Sequence, residues 1–138
     1  MAGHMAAEAG DGAMQWARYL RLYTDEAGES HFAEVEVPLP EVDFAPPAAP
    51  MTFARLFGAT DCGFLGAPAH WDGKALHPSP RRMLLLVLVG ECEVTASDGE
   101  VRRVGPSSVL LQEDTSGRGH STRVVGPHSG LAVVVGLE

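Results

Sequence analysis

Cysteine is scarce in this chain: Cys62 and Cys92 are the two in 138 residues, with no CxxC spacing. That excludes a disulfide framework and a structural zinc knuckle, so both read as reduced thiols, Cys92 as a small buried side chain. Basic charge is also thin, with ten Lys and Arg against eighteen Asp and Glu, a net charge of -8 and a pI near 5.1. The ten are scattered, which excludes the clustered footprint that nucleic acid or an anionic membrane requires. No apolar run approaches the ~18 residues of a membrane span, and MAGHMAAEAGDGAM lacks the regions of a signal peptide. A cytoplasmic protein is expected. The GHM within the first five residues resembles a cloning scar, which points to a natural start at Met5 or Met14 and removes His4 from any site. Helix signals are nearly absent. So are a P-loop, a dinucleotide fingerprint and a Gly-x-Ser-x-Gly elbow.

What the chain does have is period-two alternation broken by Gly, Pro and Asp turns, the pattern of an all-β domain with more than a third strand. Its length suits one domain. Residues 1–18 read as tag remnant and flexible N-terminus, and 19–138 as the domain. ARYLRLYTD alternates; a helix over 14–23 competes with a strand there, and the aromatics favour the strand. HFAEVEVPL puts Ala33, Val35 and Val37 on one face and Glu34 and Glu36 on the other, a hairpin arm with one wet face. Five of the ten prolines fall in PLPEVDFAPPAAP, so 38–50 reads as an ordered arm or strap over the surface. MTFARLF and CGFLGA follow as short strands. RMLLLVLVG is apolar on both faces, as a strand between a cavity and a second layer would be. ECEVTASDGEVRRVG is a hairpin turning at Asp98-Gly99. GPSSVLLQED, HSTRVVG and GLAVVVGL complete the sheet.

Residues 77–94, HPSPRRMLLLVLVGECEV, resemble the first motif of the cupin superfamily, in which His-x-His and then Glu precede a strand ending in a glycine turn. Residues 105–120, GPSSVLLQEDTSGRGH, resemble the second, whose loop delivers another histidine. More narrowly, YTDEAGESHFAEVEVPL, HPSPRRM and LLQEDTSGRGH are similar to small bacterial single-domain cupins whose usual versions read HPAPRRQ and EDTTGKGH. The resemblance covers roughly residues 19–135. It implies a single-domain cupin jelly-roll β-barrel with its site in a cavity between two sheets. Activity is left open, because one fold hosts many chemistries. Analogy with the group suggests bacterial secondary metabolism. It also suggests a homodimer formed through sheet edges and N-terminal arms, here the Pro-rich arm with the 19–39 hairpin.

His77 matches the first-motif histidine and His120 that of the second. Ser79 and Met83 depart from the pattern, standing where the second His and the Glu would be. A transition metal needs three or more N, O or S donors. His77 and His120 would need Glu113 or Asp114 as a third, and Met83 sulfur suits copper(I) better than harder ions. A metal-dependent dioxygenase or lyase is therefore the alternative reading, and the preferred one assigns no metal or other cofactor. In the preferred reading the cavity performs non-redox proton transfer (isomerisation, dehydration or cyclisation) on a hydrophobic, oxygenated small molecule. His77 and His120 act as acid and base, Glu113 orients them, and Arg81 or Arg82 binds an anionic oxygen. Strand parity through the prolines puts His77, Ser79, Arg81, Met83, Leu85 and Val87 on one side. Met83, Ser79, Trp71, Leu85 and Thr122 are the expected substrate contacts, with His70-Trp71 at the cavity mouth. His31 and His128 read as solvated loop residues. Against catalysis stands a non-catalytic ligand-binding module, with both histidines as inert remnants of a metal site.

Overall fold

The alternation becomes strand almost throughout. In the computed structural model, which describes residues 6–8 and 15–138, 56% of the described residues are strand and none is helical. In chain order the strands are β1 (Ala6–Glu8), β2 (Gln15–Thr24), β3 (Ser30–Leu39), β4 (Glu41–Val42), β5 (Met51–Thr52) and β6 (Ala59–Ala67). Then come β7 (Met83–Val89), β8 (Glu91–Ala96), β9 (Val101–Val104), β10 (Val109–Gln112), β11 (His120–Val125) and β12 (Gly130–Leu137). The GHM segment, Met5 and Met14 lie outside the described residues. The flexible N-terminus expected through residue 18 is corrected at its end, since β2 is already paired at Gln15.

Seven strands form one mixed sheet. Its path runs β1-β2-β10-β7-β12-β6, with β3 on the other edge of β2. β10 runs parallel to β2, with Leu110 opposite Leu20, and the other pairs are antiparallel. A second sheet of three strands has the order β11-β8-β9, and single bridges from Asp72 to Arg123 and from His77 to His120 lay the 72–77 segment along β11. Leu20, Leu22, Phe32, Val87 and Leu110 of the first sheet meet Val94, Ala96 and Val104 of the second in one buried cluster. Burying each such side chain contributes about 1.5–3 kcal/mol. The arrangement is that of an open β-sandwich. No closed barrel forms among the described residues, and no helix there is long and apolar enough to cross a membrane.

Local readings meet mixed outcomes. Asp98-Gly99 does turn the β8–β9 hairpin, with Gly99 at φ 97° and the Ala96 amide donating to the Glu100 carbonyl. The Pro-rich arm at 38–50 takes the form of a short hairpin with β4 and β5 as its stem, and Phe44, just past β4, packs against Phe53, just past β5, ring centroids 5.3 Å apart. Only Met51 and Thr52 of MTFARLF are strand. In β3 the split between faces is real, yet the wet face is the inner one. Glu34 and Glu36 share the side of buried Phe32, and Arg102 reaches Glu34 at 3.5 Å. Beyond Phe32 the strand projects past the core, so the core-side face becomes solvated.

His31 is not a solvated loop residue. It sits near the start of β3 with Nε2 2.7 Å from Asp25 Oδ2 and Nδ1 2.9 Å from Asp98 Oδ2, clasping the β2–β3 turn to the β8–β9 turn. Two carboxylates at the two nitrogens are both satisfied only by the doubly protonated ring. Accordingly the hydrogen bond to Asp25, followed by that to Asp98, raises the His31 pKa, while the bond from His31 lowers that of Asp25. A raised histidine pKa means stability that is whole below the ordinary value of about 6.5 and fades as pH rises through the folded-state value. A lowered carboxyl pKa means stability lost as pH falls below about 3.9 and through the folded-state value. The difference in Tm between the native chain and His31→Gln should therefore be largest near pH 5–6, by the same reference values, and shrink by about pH 9. A difference that grows with pH across that range would refute the clasp.

Candidate functional site

β7 carries the inner wall of the site. Its Met83, Leu85 and Val87 face the second sheet and, with Val94, Val104 and Val124, line a cavity of about 360 Å³, within the usual size range of small-molecule sites. The wall is apolar almost throughout. Its polar side chains include His77, Gln112, His120 and Thr122, and among the described residues neither Lys, Arg, Asp nor Glu lines it.

His120 opens β11 and is 3% exposed, and Asp114, just past β10, is 0% exposed. Asp114 Oδ2 receives the His120 Nδ1 proton at 2.5 Å, and Asp114 Oδ1 lies 2.8 Å from the Ser79 hydroxyl. Ser79 Oγ is also 3.1 Å from Gln112 Oε1, and its backbone amide donates to the Asp114 carbonyl at 2.9 Å. A fully buried carboxylate is costly unless paired and hydrogen-bonded, and here each oxygen has a partner. With Nδ1 committed to Asp114, the neutral ring keeps its lone pair on Nε2, and His120 is part of the cavity wall.

His77 comes alongside through paired backbone bonds, His77 N–H to the His120 carbonyl at 2.9 Å and the reverse at 3.0 Å. The two ring centroids are 5.1 Å apart. Gly119 makes this approach possible. It has φ 75°, and a methyl group on it would collide with the His77 carbonyl carbon and oxygen. His77 is exposed where His120 is buried, so the pair runs from solvent to the inner cavity.

The sequence-based assignments divide. His77, His120, Met83, Leu85, Trp71 and Thr122 do line one cavity. Ser79 does not line it; it is buried behind it as the support of Asp114. Glu113 is corrected as the orienting group, since it accepts from Arg21 Nε and Arg82 Nε, both at 2.6 Å, away from the histidines. Partial burial pushes its carboxyl pKa up, and the two arginine hydrogen bonds more than reverse this, leaving it lowered. Arg81 is corrected as an oxyanion binder, because it pairs with Asp61 at 2.7 Å and is absent from the cavity wall. Arg82 stacks over Phe57, 4.6 Å from the ring centroid. The parity argument failed because residues 77–82 are not strand: Pro78 and Pro80 supply no amide donors, and β7 begins at Met83. His70 stays outside the cavity, although its neighbour Trp71 lines it.

Asp114, named only as a possible metal donor, and Gln112, not named, are the groups at the polar end of the cavity that sequence reasoning passed over. Both share the parity of the fully buried Leu110, but Leu111 on the opposite face is buried as well, so parity alone gave no signal. Cys92 also lines the cavity; burial, then neighbouring Glu91, raises its thiol pKa, which disfavours a thiolate nucleophile. For a metal the donor set does not fit. The Asp114 carboxylate is spent on His120 and Ser79, Glu113 faces elsewhere, and among the described residues no group of three His, Cys, Asp or Glu is placed to hold an ion. No protein-family model and no curated protein matches this chain.

Gly119→Ala should destabilise the fold by more than about 1 kcal/mol, because it combines a forced positive φ with a backbone clash. Urea unfolding measures this, and the His77–His120 ring contact should vanish from NOE spectra. An unchanged unfolding midpoint would show that the 77–82 segment is not held against β11.

Proposed function

We propose that this chain is a small cupin-like enzyme performing non-redox proton transfer on a hydrophobic, oxygenated small molecule, by isomerisation, dehydration or cyclisation. One observation carries the reading: His120, held from behind by the buried Asp114, is part of an apolar cavity wall, with an exposed second imidazole beside it. In this reading Asp114 holds the His120 proton on Nδ1 and leaves Nε2 to take a proton from the substrate. The imidazolium that results is stabilised by the same carboxylate. His77 exchanges the proton with solvent. Apolar walls exclude water and favour a substrate that is mostly hydrocarbon. The competing reading, a non-catalytic binding module, shares the cavity but needs no Asp114–His120 pair.

Deuterium exchange separates the two. A panel of uncharged ketones incubated with the protein in D₂O should acquire deuterium next to the carbonyl, detected by mass spectrometry. Exchange should fall on the order of a hundredfold in His120→Ala and substantially in Asp114→Asn, with circular dichroism unchanged. Equal exchange in the native chain and His120→Ala would leave the binding module.

We also infer that the expected homodimer forms through β6 rather than through the 19–39 hairpin. β6 ends the sheet path, eight of its nine residues are exposed, and Phe64 is 76% exposed. An edge strand is ordinarily protected by charge or proline. This one carries a single charge, Asp61, already paired with Arg81. Two copies pairing antiparallel around a two-fold axis would bury Phe64 and satisfy both edges. Light scattering at micromolar concentration should give twice the chain mass, falling to one chain in Phe64→Lys but not in Val101→Lys on the other sheet. A native mass of one chain would exclude this dimer.

A further inference from the structure

The cavity also restricts the charge and shape of its ligand. We infer that it takes an uncharged, elongated, largely hydrocarbon molecule bearing one hydroxyl or carbonyl oxygen, bound oxygen-first against Gln112 and His120. This rests on the cavity being a ligand site and goes on to name the class it selects.

Charge comes first. An ionised carboxylate or phosphate in an apolar cavity needs a cation, or its desolvation costs several kcal/mol. The cavity wall has no Lys or Arg. The arginines next in sequence to wall residues are committed outside it, Arg81 to Asp61, Arg82 to Glu113, Arg103 to Glu91 and Arg123 to Glu93. An ammonium ligand fares no better, for the one carboxylate behind the wall, Asp114, is fully buried and bonded at both oxygens.

Polarity is confined to one end. Gln112 is opposite Met83, the first residue of β7, and His120 is bridged to His77. At the far end of β7, Val89 lies opposite Leu131; both are exposed, as are Leu65 and Trp71, and all four line the cavity. Six strand steps of ~3.3 Å separate the two ends by roughly 20 Å. The ligand's hydrocarbon part therefore meets an apolar rim and its oxygen the inner pole. Ser79 has one hydroxyl proton and gives it to Asp114 Oδ1, so the Gln112 carboxamide, 3.1 Å from Ser79 Oγ, is held by one end and offers the other to the ligand, its NH₂ to a carbonyl or its oxygen to a hydroxyl. His120 Nε2 accepts from a hydroxyl when neutral and donates to a carbonyl when protonated.

An eight-carbon series tests this without knowledge of the natural ligand. 1-Octanol, 2-octanone, octanoate and octylamine are titrated into the full chain at pH 8 and followed by NMR. The alcohol, the ketone or both should bind at least about tenfold tighter than the acid and the amine, since one lost decade corresponds to 1.4 kcal/mol. The tighter of the two names the natural functional group. Gln112→Leu should weaken the preferred probe roughly three- to tenfold, the worth of one hydrogen bond. Leu85→Trp should fill the cavity and abolish binding of all four. Octanoate or octylamine binding as tightly as the neutral probes overturns the inference and leaves the ligand site standing. Failure of all four to bind overturns both. The ratio in the native chain decides the matter even where a variant fails to fold.

Discussion

The Asp114 carboxylate is the constraint around which the site is built. It is fully buried, and a buried charge persists only where partners are brought to it. Its two side-chain partners come from separate parts of the chain: Ser79 from the irregular segment before β7, and His120 from the start of β11. Satisfying one carboxylate thus ties the larger sheet to the smaller at one end of the cavity. The Ser79 amide on the Asp114 carbonyl adds a backbone bond to the same junction. A serine suits position 79 in this setting, because a hydroxyl is short enough to sit behind the wall and still reach Asp114.

Asp114 and its neighbour Glu113 show how one strand end serves two environments. Successive side chains point to opposite faces, so Glu113 is turned out to Arg21 and Arg82 while Asp114 is turned in. The outer carboxylate gathers charge: Arg82 also covers the Phe57 ring, and Arg21 covers Tyr23. All the arginine chemistry of this region is thereby kept on the outside. The inside is left to imidazole, amide and hydroxyl groups, so the polar part of the cavity wall carries no arginine.

The two ends of the sandwich differ in the same spirit. At the inner pole Asp114 and Ser79 tie the polar side chains to one another, and His77 pairs with His120 through the backbone across Gly119. At the rim, Trp71, Leu65, Val89 and Leu131 remain exposed. Close by, β6 presents a free edge and the most exposed aromatic of the described residues, Phe64. The apolar surface there lies beside the exposed rim of the cavity.

By itself the amino-acid sequence determined the class of structure and most of the wall. Alternation and turn residues set the strands, because side-chain period and turn chemistry are local properties. They located β7, β8, β9 and β11 and the turn at Asp98-Gly99. His77, His120, Met83, Leu85 and Thr122 do line one cavity, an expectation that came from the motif resemblance, since the residues before β7 carry no face assignment of their own. Three things were decided only by the tertiary structure. Asp114 rather than Glu113 became the partner of His120, which LLQED could not reveal while its leucines occupy both faces. Arg81 left the cavity because the chain before β7 bends at two prolines, and parity carries no information through a bend. His31 became a clasp because Asp25 and Asp98, on different turns, meet only when the two sheets stack. In each case what matters is which distant group a side chain meets, and that is fixed by packing between sheets, not by the order of residues along one strand.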